Sequence, residues 1–434
     1  MNTLMTRLRS RSALLTVLVS ALGAAGAWWA LRPAWQVPLP TEANLAEVRM
    51  QDFRDALYFP IREFLAGGNP YDPAVMFGTW PVRQGFNLYQ PYHLVLHLPF
   101  ALGDYHVGAV AYGLTSVLLL VLLAALAASR VRLRVPLPLA LGTAVIAALL
   151  VFSQVGKAQI YLGQVNPLVA LGAAGALALR SSSPRWASLA LAVAWLKPQF
   201  GLPLTVLLLA RGSRRVALTG TALAAVASLP VVALLVVRGG GVGPFLDAIT
   251  ANLANATGTD YGAVDSPTAQ RIDVAAVFFR LTGWLPPGIE PAVLIGVLGV
   301  SAVLVRRLDA MADKDSGFDT SAVADLLTCV AAVVAVVHQP GDVLLAVPAM
   351  AAAAVAWRRR RWRAVGLALV ALAVPFLHLH VVDTAISAVL GGRASVTVDG
   401  VAVIAAWALL VAFAARATRT PRPAAADLSA GTIA

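Results

Sequence analysis

Charge and cysteine are what this 434-residue sequence has least of. Only 12% of its residues are Asp, Glu, Lys or Arg, against roughly 25% in an average soluble domain, and 59% are apolar. The deficit runs the whole length of the chain, with a mean hydropathy of +0.77. That excludes an ordinary soluble domain and predicts an integral membrane protein. The single cysteine, Cys329, lies inside an apolar run, so an internal disulfide and a cysteine-ligated zinc site are both excluded. The net charge is nevertheless +12. Its basic residues fall in short clusters between apolar runs, which is the pattern of topology signals and not of a nucleic-acid-binding face.

About twenty apolar residues span a bilayer as a helix. Runs bounded by charge, proline or glycine predict spans near 13–31, 107–129, 137–153, 165–180, 186–197, 199–210, 216–238, 290–305, 321–338, 342–357, 364–382 and 399–415. The pair around Lys197 reads as two half-spans or one kinked helix. The expectation is an all-α polytopic membrane protein with roughly ten to thirteen transmembrane helices.

Seven basic clusters then fall on one side: Arg7 to Arg11, Arg130 to Arg134, Arg180 with Arg185, Arg211 to Arg215, Arg306 to Lys314, Arg358 to Arg363, and Arg416 to Arg422. They hold 22 of the 33 Lys and Arg, while 15 of the 21 acids lie on or near the other side. The positive-inside rule makes the basic side cytoplasmic, with both termini inside. The first run ends in Trp28-Trp29, an interfacial anchor, and reads as a retained helix in preference to a cleaved signal peptide. Residues 1–422 read as one transmembrane domain and 423–434 as a flexible cytoplasmic tail. Two outer segments, 32–106 and 239–289, exceed simple turns and are expected to carry short helices and the function.

Polar residues at the outer ends supply the candidate chemistry. In Asp52-Phe-Arg-Asp55 a helix would put both carboxylates on one face. They read either as a cap with a first-turn acid or as a general base whose pKa is raised by partial desolvation. Gly67-Gly68-Asn69-Pro70-Tyr71 is a turn on its own. His93 and His97, four apart, fit a shared helical face for a metal or two core histidines. Gln164 and Asn166 suit sugar hydroxyls or helix capping. Lys197, in Trp195-Leu-Lys-Pro-Gln199, is costly between two apolar runs and marks a candidate partner for phosphate. His338-Gln-Pro-Gly-Asp342 brings another polar pair to an outer helix end, and His378 and His380 read as interfacial.

In this order and spacing the pieces resemble the polyprenyl-phosphate-sugar-dependent glycosyltransferases of the GT-C fold. The closest likeness is to glycosyltransferase family 87, which contains bacterial α-1,2-mannosyltransferases. The likeness rests on the acidic Asp52-Phe start, Asn69-Pro-Tyr71, Gly163-Gln164-Val-Asn166, Lys197-Pro-Gln199 and His338 to Asp342. It implies a GT-C-like bundle in a bacterial plasma membrane with its active site on the extracytoplasmic face. It implies Asp52 as catalytic base with Asp55 in support, and Gln164, Asn166 and Lys197 around the donor. His338, Asp342, Gln199 and Tyr71 would line the site, and Arg271 would be a second cation for the leaving phosphate. The implied partners are a polyprenyl-phosphate sugar (mannose by resemblance), a lipid-linked glycan or glycolipid acceptor, and membrane lipid. No cofactor or metal is required by this logic, because side chains suffice for a monophosphate leaving group. A transporter or lipid flippase is the alternative, and it would need ionisable residues along a path through the bundle.

Overall fold

The computed structural model describes residues 2–312 and 317–418. The tail expected over 423–434, together with Lys314, Arg419 and Arg422, lies outside the described residues, as do the side chains of Arg7, Arg9 and Arg11. The described residues form helices and no strand, as a chain in lipid must when each span satisfies its own backbone.

Each of the twelve predicted runs is met by a helix or a bent pair of helices. Seven are long and apolar enough to cross a membrane: α1 (Asn2–Gln36), α5 (Tyr105–Arg132), α11 (Arg214–Arg238), α14 (Ile289–Ala312), α15 (Phe318–Ala335), α16 (Val347–Arg360, entered through a 3-10 turn Pro340–Ala346) and α19 (Gly392–Ala417). Two further spans are bent. α6 (Leu139–Phe152) turns by 69° into α7 (Gln154–Leu162), and α17 (Arg363–Leu377) turns by 97° into α18 (His380–Leu390). Apolar side chains such as Leu14, Leu18, Leu118, Val226 and Val370 stand exposed along these helices, a surface that only lipid can cover. α15 is the central post, with 83% of its apolar window buried against 22% for α1.

Three helices are short: α8 (Asn166–Leu179), α9 (Pro184–Ala194) and α10 (Pro198–Ala210) have 14, 11 and 13 residues. At 1.5 Å per residue they reach about 17–21 Å, well under the ~30 Å of a hydrocarbon core. The basic ends of α8 and α10 are level, because Arg180 after α8 and Arg211 after α10 share one carboxylate, Asp309. Their other ends therefore stop below the opposite rim and leave a well.

The first outer segment folds into that well. It carries a π-helical turn (Phe53–Tyr58), then α2 (Phe59–Ala66), α3 (Pro73–Thr79) and α4 (His93–Leu96). Two backbone bonds fasten it to helix ends: Met50 N–H to Tyr161 O at 2.7 Å and Gln90 N–H to Leu196 O at 3.0 Å. The second outer segment adds α12 (Val242–Gly258) and α13 (Val274–Thr282). Asn252 of α12 brackets Asn87, accepting from its N–H at 2.8 Å and donating to its carbonyl at 2.9 Å. Short helices thus occupy both long segments.

Candidate active site

Asp52 is not a helix cap. Its backbone is already helical and its side chain caps no N–H. The turn that follows is π-helical, with Phe59 N–H donating to Arg54 O five residues back. Such bulges concentrate at functional sites. The two carboxylates have different partners. Asp55 is spent on Arg54, at 2.6 and 3.1 Å, and on the Gln84 N–H at 3.2 Å, while Asp52 faces Gln164 and Lys197.

Local backbone choices hold Asp52 there. Met50 takes a left-handed φ of 54°, which turns the chain into the well. Opposite it, Gly163 ends α7 at φ 70°, and a Cβ there would lie 2.6 Å from Phe53 Cβ. Glycine is thus required twice at this position, for its conformation and for the close approach.

Lys197 is placed by the proline that follows it. A residue before proline is driven to extended backbone, and Lys197 has φ −109° and ψ 107° at the N-cap of α10. Its side chain is buried, and its ammonium lies 5.6 Å from the centre of the Tyr89 ring. It makes no ion pair or hydrogen bond with a described residue. The first turns of α8 and α10 both open here, and neither is capped by a side chain. Uncapped helix N-termini and a lysine side chain are each sources of positive potential.

The electrostatics follow. A water-sized sphere reaches part of Asp52, yet protein surrounds the carboxyl closely enough for desolvation to dominate. Burial pushes it up to about 6, against the pull of the Lys197 charge and the Gln164 side chain; Asp55 and Asp342 push the same way as burial. Burial also lowers His338 below the ordinary imidazole range, against the pull of Asp342. His338 Nδ1 is 2.9 Å from Val336 O, the ring sits edge-on to Phe200 at 4.5 Å, and Nε2 is buried without a partner.

The sequence-predicted residues divide. Gln164, Asn166, Lys197, His338 and Asp342 gather around Asp52. Asn166 Nδ2 donates to Gln164 Oε1 at 2.6 Å, which fixes the amide beside the carboxylate. Asp342 accepts from the Gln339 N–H at 2.9 Å. Gln199 is half-buried in the first turn of α10. Tyr71 stands one layer back, its hydroxyl donating to Tyr89 O at 2.9 Å. Arg271 is turned elsewhere, with its guanidinium engaged by Asp273 (2.9 and 3.1 Å), Glu290 (2.8 Å) and the Gly262 carbonyl (2.5 Å). Only its neighbour Ile272 touches the site, through its N–H to His338 O.

His93 and His97 are buried among aromatic rings, with His93 Nε2 3.0 Å from Asn87 Nδ2. Among the described residues no three His, Cys, Asp or Glu side chains come together as metal ligands. Tyr89 was not foreseen. Its ring faces Lys197, and burial with the Asp52 and Asp342 charges raises its phenol well above the usual range. The only hint was its place in the aromatic, proline-broken run Asn87 to His93.

The model of glycosyltransferase family 87 matches residues 87–336, more than half of the chain. The chain belongs to glycosyltransferase family 87. No curated protein and no solved structure matches it. It is thus a glycosyltransferase with multiple membrane-spanning helices. The matched stretch carries Tyr89, Gln164, Asn166 and Lys197, while Asp52 lies before it and His338 and Asp342 just after it. The well of this glycosyltransferase is therefore assembled from inside and outside the family-matched region.

Proposed function

We propose that this glycosyltransferase moves a hexose, mannose by its resemblance, from a polyprenyl-phosphate donor to a lipid-linked glycan or glycolipid. The reaction takes place on the extracytoplasmic face of a bacterial plasma membrane. The basic clusters at the opposite end of the bundle support that orientation. One observation carries the reading: a carboxyl held near 6 and a lysine without a carboxylate partner face each other in one well. Asp52 is ionised at neutral pH and takes the proton of the acceptor hydroxyl as its oxygen attacks the anomeric carbon. The bond from that carbon to the phosphate oxygen breaks, and the electron pair leaves with polyprenyl phosphate. Lys197 and the two helix N-termini stabilise the charge that develops there. A single displacement of this kind inverts the anomeric centre.

In vesicles containing the purified protein, radiolabelled polyprenyl-phosphate sugar should be consumed when a glycolipid acceptor is supplied. Asp52→Asn should lower transfer about 10²–10⁴-fold. Full activity in that variant would sink the assignment.

A further inference from the structure

A second recess, of about 210 Å³, adjoins the well. It lies between the α6–α7 bend, the Gln339–Gly341 turn and the sharp corner between α17 and α18, and Val396 and Asp399 of α19 close it. Gln164 lines it and also faces Asp52, so this side chain belongs to both. Gly341 in its lining has no room for a side chain. A Cβ there would meet Gln159 Nε2 at 2.6 Å.

His378, expected at the interface, is instead buried in this recess between two carboxylates. Its Nδ1 is 3.0 Å from Asp399 Oδ1, and its Nε2 is 3.9 Å from Asp383 Oδ1. Ser395 Oγ also donates to Asp383. Even a charged imidazolium leaves the pair of carboxylates in excess, and among the described residues no Lys or Arg lines the recess. The side-chain amides of Gln154 and Gln270 face the same space and make no hydrogen bond to a described residue. The lining is therefore rich in acceptors and amides and poor in cations. It complements hydroxyl groups and repels phosphate.

We infer that this recess receives the neutral polyhydroxy end of the acceptor, a sugar or similar polyol without a phosphate, and presents one of its hydroxyls past Gln164 to Asp52. The inference rests on the transferase reading above. It places acceptor choice on residues 378–399, beyond the family-matched stretch, so acceptor selection is a property of this chain's own C-terminal helices.

Binding tests it without any donor. The full-length protein in lipid nanodiscs is titrated with methyl glycosides and with the corresponding methyl glycoside phosphates, followed by saturation-transfer NMR. Neutral glycosides should bind at least tenfold more tightly than their phosphates. Asp399→Asn should weaken the best glycoside about tenfold, the loss of one hydrogen bond to a charged group. Because Asp399 also holds His378, Gln270→Trp is the second variant; it alters an exposed residue and plugs the mouth, and it should weaken binding at least as much. Unchanged glycoside binding in Gln270→Trp, or tighter binding of the phosphates, overturns the inference. Failure of the wild type to consume any polyprenyl-phosphate sugar would count against the transferase reading and leave these binding results to decide the recess.

Discussion

The two ends of the bundle use the same residue types in opposite ways. At the basic end carboxylates and guanidiniums are closed on each other. Arg211 lies between Asp309 (2.7 Å) and Asp325 (2.8 Å), Arg180 adds a second contact to Asp309, and Arg130 a second to Asp325. Arg359 and Arg360 share Asp319 in the same way. At the other end Asp52 and Lys197 share a well without a salt bridge. Charge taken out of water is costly unless it is paired and hydrogen-bonded. The closed end is therefore a clamp between helices, and the open end keeps a carboxylate and an ammonium that no salt bridge joins. A basic cluster and a lone lysine thus differ less in chemistry than in whether a carboxylate has already claimed them.

Three changes sharpen that contrast. The largest effect is expected at the clamp. Arg211→Ala removes the buried cation that Asp309 and Asp325 share, leaving each with a single arginine, and should destabilise the fold by about 3–5 kcal/mol. Thermal unfolding in detergent would register this, while turnover per folded molecule holds. Loss of turnover at unchanged stability would mean that the basic end is not merely structural.

Lys197→Met should do the reverse. It removes a charge that no salt bridge fixes and keeps the stem, so stability changes little while kcat falls about 10²–10³-fold, or about 3–4 kcal/mol of transition-state stabilisation. A variant that is markedly less stable but turns over normally per folded molecule would place Lys197 with the clamp.

The smallest effect concerns Asp52 itself. Its folded pKa of about 6 exceeds the ordinary 3.8, so the folded chain holds more protons between those values. Stability then falls as pH rises from about 4 to 6 and stays lowered above that range. Asp52→Asn removes this cost and should be more stable than wild type at pH 7.5 by roughly 1–3 kcal/mol, with the gain gone near pH 4. Measuring unfolding temperature at both pH values checks this. A variant less stable at pH 7.5 would show that the carboxylate serves the fold.

Much of this architecture was readable in the sequence because lipid permits so few solutions. An apolar run in hydrocarbon must be a helix, and the Lys197-Pro198 pair had to break one. The resemblance pointed to Asp52 before Asp55, but the different surroundings of the two were not readable. They rest on Met50 and Phe53 packing against Gly163, more than a hundred residues away. Arg271 shows the opposite failure. Asp273, two residues away, and Glu290 claim its guanidinium, and nothing in the local pattern said which cation would be left open. Tyr89 and His378 were hidden for the same reason, since packing between distant helices sets both environments.

The short reach of α8, α9 and α10 has a consequence in salt. The well floor lies beneath the rim of the bundle, behind the first outer segment, where mobile ions have little room to gather. Attraction between surface charges fades over about 8 Å at physiological ionic strength, whereas buried pairs are screened much less. A phosphate seated against Lys197 would feel that charge almost as fully in concentrated salt as in dilute buffer. The enzyme's hold on its donor would then be set by depth and not by the ionic composition of the surrounding medium.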